Sequence, residues 1–244
     1  MLANGFLHFD ASHVTVLVLT VTLPVALAAI ARRSQSKSVG KGIAIALAAV
    51  LTINFLGYPL YLLFFPANAD GHWLPMQLCD WALVATVVAL HRRTLRWFEL
   101  AYFWGLAATL QAIVTPNLDV GFPSVRFITF FVAHCGIVIS VFFLMLAYGL
   151  RPHAFSLVRV WLWSQLYLGA ALLANALTGA NYGFLSHKPA RASILDFLSD
   201  QPVIYVLQLE LLAILFFTLL YLPFALRDWR SKSPQVASPI TNNE

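Results

Sequence analysis

The sequence has 244 residues, of which 60% are hydrophobic and only 10% are charged. Soluble domains carry about 25% charged residues, so this chain lacks the charge to coat a globule of 27.1 kDa. A mean hydropathy of +0.79 excludes a soluble protein and predicts an integral membrane protein. The net charge of +5 does not indicate nucleic-acid binding, because the bases lie in short clusters between apolar runs.

Seven apolar segments approach the length needed to cross a bilayer, which is about 20 residues of helix. In chain order they are residues 13–31, 42–65, 74–90, 97–115, 125–149, 154–177 and 202–226. The first segment is not typical of a signal peptide, because no Lys or Arg precedes it, whereas Arg32 and Arg33 follow it. We predict a single all-α domain of seven transmembrane helices over residues 1–230. A disordered cytoplasmic tail rich in Ser, Pro and Asn follows over 231–244.

The basic residues fix the predicted orientation. Those that follow the first, third, fifth and seventh segments are Arg32, Arg33, Lys37, Lys41, Arg92, Arg93, Arg96, Arg151, Arg159, Arg227, Arg230 and Lys232. Only Arg126, Lys188 and Arg191 lie on the other side. Because cytoplasmic connections carry the excess of Lys and Arg, we predict an amino terminus outside and a carboxyl terminus in the cytoplasm.

Polar side chains within the predicted helices lie mostly in their outer halves or near the midplane. They are Asn54, Gln77, Cys79, Asp80, Gln111, Arg126, Thr129, His134, Asn175, Gln208 and Glu210. The inner halves are mostly Leu, Val, Ala and Phe. Since such groups are costly in lipid without a partner or a purpose, the asymmetry predicts a polar cavity open to the outside or to the outer leaflet.

Two of these residues have the chemistry of a nucleophile and its base. At 1.5 Å per residue, Cys79 lies roughly 8 Å and His134 roughly 15 Å into their helices, so whether they meet depends on helix tilt. An imidazole can take the proton of a thiol, and the thiolate can then form a thioester with an acyl group. The structural alternative makes Cys79 a packing residue and His134 an interhelical hydrogen-bonding residue.

No metal or cofactor is predicted. His8, His13, His72 and His187 lie on the predicted outer side without the spacing of a zinc site. The sequence also contains no P-loop, G-x-S-x-G or G-x-G-x-x-G motif, which excludes the corresponding nucleotide and hydrolase classes.

Several short motifs resemble one family of membrane proteins. Residues 74–80 (LPMQLCD) resemble the L-P-x-[HQ]-x-C segment of the YwaF-type bacterial integral membrane proteins. Further matches lie at residues 103–106 (FWGL), 111–116 (QAIVTP), 130–134 (FFVAH) and 181–189 (NYGFLSHKP). Those bacterial proteins are similar to eukaryotic transmembrane protein 164, an acyltransferase of ether phospholipids. They are more distantly similar to the androgen-induced membrane hydrolases, which use a Thr nucleophile and a His.

The resemblance implies a Cys nucleophile in the third helix and a His in the fifth, which are Cys79 and His134 here. Gln77 stands where many family members carry His, so a proton-relay role does not carry over to this position. The resemblance also implies a multi-pass protein of the bacterial cytoplasmic membrane.

We therefore predict a membrane-embedded lipid acyltransferase or lipid ester hydrolase, with a membrane lipid as substrate. Cys79 is the predicted nucleophile and His134 the general base and acid. The predicted substrate-binding residues are Gln77, Asp80, Gln111, Arg126, Asn175 and Glu210. The alternative is a non-enzymatic small-molecule or proton-coupled carrier or receptor that uses an intramembrane network of Asp80, Arg126 and Glu210. The structural alternative makes Asp80, Arg126 and Glu210 a network of ion pairs.

Overall fold

The computed structural model describes residues 5–34, 36–66, 74–189 and 193–232, and these residues are predominantly helical. The main helices are α1 (Ala11–Arg33), α2 (Lys37–Phe64), α3 (Leu78–Arg92), α4 (Leu95–Trp104), α5 (Leu110–Val114), α6 (Val125–Tyr148), α7 (Ala154–Thr178) and α8 (Pro202–Lys232). A π-helical turn, Gly105–Thr109, joins α4 to α5, so these three pieces form one continuous rod. The all-α prediction is confirmed for this part of the chain.

Six helical segments of the described chain are long and apolar enough to span a membrane. They are α1, α2, the rod Leu95–Val114, α6, α7 and the Pro202–Arg230 part of α8. The protein is therefore an integral multi-pass membrane protein, as predicted. The remaining segment, predicted at residues 74–90, forms the 15-residue helix α3. At about 22 Å, α3 is shorter than the hydrocarbon core of about 30 Å.

The short length of α3 has a local cause. Its N-cap residue Gln77 is extended, with φ −73° and ψ 149°, so the helix begins only at Leu78. Residues 74–76 precede it as a non-helical approach that contains Pro75. A proline disfavours helical conformation in the residue before it, which prevents the helix from starting earlier in this approach.

The carboxyl-terminal boundary also differs slightly from the prediction. Helix α8 continues to Lys232, beyond the predicted end of the domain at residue 230. The rest of the predicted disordered tail, residues 233–244, lies outside the described residues.

The core of the bundle lies where α3, α4 and α6 pack together. Phe98, Phe103, Ile137 and Phe143 are fully buried there. Gly105 lets the π turn approach α6 closely, since a Cβ at this position would lie 2.6 Å from Cγ2 of Ile137. The large exposed side chains of α1, α2, α7 and α8 are mainly apolar, as lipid-facing surfaces require.

His13 fastens the amino-terminal end of α1 to α5. Its Nδ1 accepts from the backbone N–H of Phe9 at 3.0 Å, so Nε2 carries the ring proton and donates to the carbonyl of Ile113 at 2.8 Å. The ring is fully buried and both nitrogens are used. The two hydrogen bonds therefore give His13 a structural role, in which it joins the start of α1 to α5.

Candidate functional site

Cys79 lies in the first turn of α3, two residues after the N-cap Gln77. The carboxylate of Asp80 accepts from the backbone N–H of Gln77 at 3.0 Å, which closes the turn. This bond assigns Asp80 a capping role, whereas the sequence predicted substrate binding. Because Gln77 and Asp80 flank Cys79, this bond also holds in place the turn that carries the thiol.

The loop between α7 and α8 folds over the beginning of α3. The side-chain oxygen of Gln77 accepts from Gly183 N at 2.9 Å, and the Tyr182 hydroxyl accepts from Leu74 N at 3.0 Å. Asn175 exchanges two bonds with the backbone of Tyr182, at 2.7 and 3.1 Å. Gln77 and Asn175 were also predicted to bind substrate, and the structure shows their side chains holding this loop. We call the group Gln77, Asn175, Tyr182 and Gly183 the loop latch.

The surroundings of the Cys79 thiol act in both directions: nearby backbone amides stabilise a thiolate, whereas burial and the neighbouring Asp80 carboxylate oppose it. The backbone amides of Cys79 and Asp80 lie beside the sulfur, and no side chain of a described residue makes a hydrogen bond with it. The first amides of a helix lack intrahelical acceptors, and the helix dipole stabilises an anion at this end. The Asp80 N–H already donates to the Gln77 carbonyl at 3.0 Å, so the Cys79 N–H is the donor that this turn offers to a thiolate or to the oxyanion formed when it attacks a carbonyl.

Tyr167 of α7 is a neighbour of Cys79 that sequence reasoning did not select. Its hydroxyl donates to the carbonyl of Met76 at 3.2 Å and lies close enough to Cys79 and Asp80 for electrostatic interaction. The ring packs edge-on against Trp81 at 5.4 Å between centroids. No signal in the sequence distinguishes Tyr167 from the other tyrosines, because its partners come from a distant segment.

His134 of α6 is buried, and its ring orientation is fixed. Nδ1 lies 2.8 Å from the carbonyl of Phe130, an acceptor, so this nitrogen carries the proton. The ring stacks on Phe130 with centroids 4.1 Å apart. Nε2 is left with its lone pair and makes no hydrogen bond to a described residue. That tautomer is the one a general base needs.

Helices α3 and α6 pack against each other. No hydrogen bond joins Cys79 to His134 in the described chain. The structure thus places the two predicted catalytic residues on adjacent helices, each without a competing side-chain partner.

The other predicted site residues are dispersed. Gln111 lies beside the Ala107 carbonyl of its own rod at 3.5 Å. Glu210 of α8 accepts from Gln165 Nε2 at 2.6 Å and from Trp161 Nε1 at 3.2 Å. Arg126 lies half-buried in the first turn of α6.

Within the described residues, no ion pair links Asp80 or Glu210 to Arg126. The three residues of the alternative network are therefore not brought together by direct contact.

The buried ion pair of the bundle lies elsewhere. Glu99 of α4 is only 1% exposed, and Arg159 of α7 binds it with two bonds, Nε–Oε2 at 3.0 Å and Nη2–Oε1 at 2.6 Å. The Ser156 hydroxyl also donates to Glu99. The expected apolar character of the inner halves does not hold here. The sequence feature that could have indicated this ion pair is Glu99 itself, the one acidic residue in the apolar run 97–115.

An aromatic groove runs along the outside of α3 and α4. One cavity of about 280 Å³ is lined by Asp80, Trp81, Trp97, Leu100, Trp104 and Trp163, with four smaller contributors. A second, of about 230 Å³, shares Trp97, Leu100 and Trp163 and ends at Arg96, Glu99 and Arg159. We call the two together the tryptophan groove. It links the level of Cys79 with the Glu99–Arg159 pair.

The described residues contain no cluster of three His, Cys, Asp or Glu side chains placed to hold a metal ion. No curated protein and no solved structure matches the sequence significantly. The TMEM164 family model matches residues 8–221, a range that contains Cys79, His134 and Glu210. This match agrees with the resemblance to transmembrane protein 164 inferred from the motifs. The chain belongs to the TMEM164 family.

Proposed function

We propose that the protein is a membrane-embedded lipid acyltransferase or lipid ester hydrolase, in which Cys79 is the nucleophile and His134 the general base. The observation that carries this proposal is the position of the Cys79 thiol, in the first turn of α3 and beside the backbone amides of that turn. Membership of the TMEM164 family is compatible with an enzymatic role in a membrane.

The proposed reaction begins when His134 Nε2 takes the proton of the Cys79 thiol. The sulfur attacks the carbonyl carbon of a lipid ester, and the Cys79 N–H donates to the oxyanion. Collapse breaks the bond to the alkoxide oxygen, which takes the proton back from the imidazolium and leaves as an alcohol. Water or a second lipid hydroxyl then attacks the thioester, gives its proton to His134 and releases Cys79 as thiol.

This mechanism requires Cys79 and His134 to come within direct or one-water reach when substrate binds. Catalytic hydrogen bonds are often long in substrate-free enzymes and shorten in the reacting complex. The packing of α3 against α6 supports that approach, because Cys79 and His134 lie on neighbouring helices and a small shift of one helix along the other changes the distance between them. Gln111 and Arg126 remain candidates for binding the lipid head group.

The proposed topology keeps seven spans, with the short α3 as the third. The amino terminus is outside and the carboxyl terminus is in the cytoplasm, in a bacterial cytoplasmic membrane. The alternation of basic connections supports this orientation. Because α3 packs along both α2 and α4, its neighbours shield it on either side, and it need not match the full bilayer thickness.

The test is covalent labelling of the detergent-purified protein with an activated-acyl probe. We expect Cys79→Ala to abolish labelling and His134→Ala to slow it by roughly 100-fold, the lower end of general-base contributions. The second cysteine supplies the matched control: Cys135 follows His134 in the sequence, but its side chain is buried beside Thr20 of α1 and takes no part in the proposed reaction. Cys135→Ala should label like wild type.

Labelling that survives Cys79→Ala in folded protein would refute the proposed nucleophile. The carrier alternative makes the opposite forecast, in which Glu210→Gln impairs function and Cys79→Ala does not. Thermal unfolding of each variant establishes that a loss of labelling does not reflect a loss of fold.

A further inference from the structure

The tryptophan groove matches one lipid leaflet in length. Asp80 lies in the first turn of α3 and Arg96 in the first turn of α4, and the two helices run antiparallel across the short connection after Arg92. At 1.5 Å per residue the groove is about 16 Å long, close to half of the ~30 Å hydrocarbon core. A single acyl chain from one leaflet fits this length.

The charge of the groove is confined to its ends. Between Asp80 and Arg96 its walls are mostly aromatic and aliphatic, with Trp97 and Trp163 partly exposed on either side of Leu100. At the Arg96 end, Arg159 is paired with Glu99, whereas exposed Arg96 forms no ion pair with a described residue. The two arginines and one carboxylate leave this end with net positive charge.

We propose that the tryptophan groove binds an acidic phospholipid, with its phosphate at Arg96 and Arg159 and one acyl chain lying along Trp97, Leu100 and Trp163. Basic pockets between transmembrane helices on the cytoplasmic side suit anionic head groups, and tryptophans suit the level of the head-group boundary. The proposed topology puts Arg96 on that side, where acidic lipids and the cationic end of the groove attract each other.

This lipid is distinct from the substrate of the proposed reaction. Its ester carbonyls would lie near the Arg96 end, on the order of 15 Å from Cys79 by the helical rise. Its binding is therefore independent of the proposed chemistry, and Cys79→Ala should leave it unchanged.

The test uses the full chain reconstituted in phosphatidylcholine vesicles that contain brominated-chain phosphatidylglycerol or, at equal fraction, brominated-chain phosphatidylcholine. Bromine quenches tryptophan fluorescence on contact. We expect stronger quenching by the phosphatidylglycerol, because its head group holds a brominated chain against Trp97 and Trp163. Arg96→Gln should abolish this excess, and Arg230→Gln, an equal charge change at the end of α8, should retain it.

A second variant tests the chain rather than the head group. Val84 is 45% exposed and lines the groove, so Val84→Phe narrows the groove at little cost to the fold. In Val84→Phe the excess quenching by brominated phosphatidylglycerol should be lost, although Arg96 and Arg159 remain. Equal quenching by the two lipids in wild type would overturn the proposal, as would an excess that survives Arg96→Gln. An excess that survives Val84→Phe would show that the lipid contacts surface cations without entering the groove.

Discussion

The two polar ends of the bundle are held in different ways. At the beginning of α3, Gln77, Asp80 and Asn175 all bind backbone groups of the loop or the cap. At the other end, Glu99 is held by the side chains of Arg159 and Ser156. The first arrangement satisfies neutral backbone groups, and the second compensates a buried charge.

The difference indicates where chemistry has room. Both carboxylate oxygens of Glu99 accept hydrogen bonds from Arg159 and Ser156, so this carboxylate serves to join α4 to α7. At the beginning of α3 the polar side chains bind the loop, yet within the described residues the Cys79 thiol and His134 Nε2 make no hydrogen bond to a side chain. The loop latch therefore holds the beginning of α3, which carries Cys79.

The largest stability effect should come from Arg159→Gln. It leaves the carboxylate of Glu99 buried without its cation, which should cost about 3 kcal/mol in free energy of unfolding. Glu99→Gln should cost less, roughly 1 kcal/mol, because the Arg159 side chain is 41% exposed and can reach water. Chemical denaturation in detergent measures both.

The pair Arg151–Asp228, at 2.7 Å, is the control for that experiment, because both of its side chains reach solvent, and Arg151→Gln should cost less than about 1 kcal/mol. Equal costs for Arg159→Gln and Arg151→Gln would contradict the contrast between the two ends. They would show that the inner pair is solvated in the membrane-embedded protein.

Asn175→Ala tests the loop latch, and we expect it to lower the free energy of unfolding by about 2 kcal/mol. The change removes the side-chain acceptor of the Tyr182 N–H and one of the donors to the Tyr182 carbonyl, which Leu185 N also contacts at 3.3 Å. Thr178→Val is the control, since Thr178 bonds only to Ala174 of its own helix and to the adjacent turn. If Asn175→Ala proved thermally silent but inactive, the side chain would bind substrate, as the sequence predicted.

Gly183→Ala should cost about 1 kcal/mol more than Gly179→Ala. Both glycines have positive φ, +65° and +70°, so the two variants share the backbone penalty. A Cβ at Gly183 would also lie 2.5 Å from the Tyr167 hydroxyl, whereas Gly179 faces open space. In a Tyr167→Phe background the extra cost should vanish, and its persistence would mean that the loop packs differently from the structure.

The smallest effect is a pH dependence outside the membrane. Hydrogen bonds from His13 N and Ser12 lower the pKa of Asp10, the N-cap of α1, below its ordinary 3.8. Because the folded pKa is depressed, the stabilisation is present above pH 3.8 and declines as pH falls through the folded pKa. The melting-temperature difference between wild type and Asp10→Asn should shrink on acidification below pH 4. A constant difference would exclude this cap.

The sequence predicted helices better than contacts. Residues 13–31 and 125–149 correspond closely to α1 and α6, because an apolar run of bilayer length has few alternatives. The prediction was least accurate at α3, where Pro75 and the extended Gln77 shorten the helix. Mean hydropathy is averaged over a whole segment, so it does not show where a proline or an extended residue delays the start of a helix.

The roles of polar residues were harder to predict. Glu99 and Arg159 are sixty positions apart and each resembles an interface charge when considered alone. Gln77 and Asn175 bind backbone groups, which every residue carries, so no side-chain pattern marks their partners. Periodicity shows which face a residue occupies, and hydrogen-bond partners depend on how loops return to that face.

The orientation of α5 depends on the number of residues in the π turn that precedes it. A π turn contains an extra residue relative to an α-helical turn, so deletion of Ala107 should restore α-helical winding without breaking the span. Everything beyond it would rotate by about 100° relative to α4, which would move the Ile113 carbonyl away from His13. The rotation of α5 relative to α4 therefore depends on the number of residues in the π turn. Substitutions keep that number constant, so a scan of substitutions would not detect this dependence.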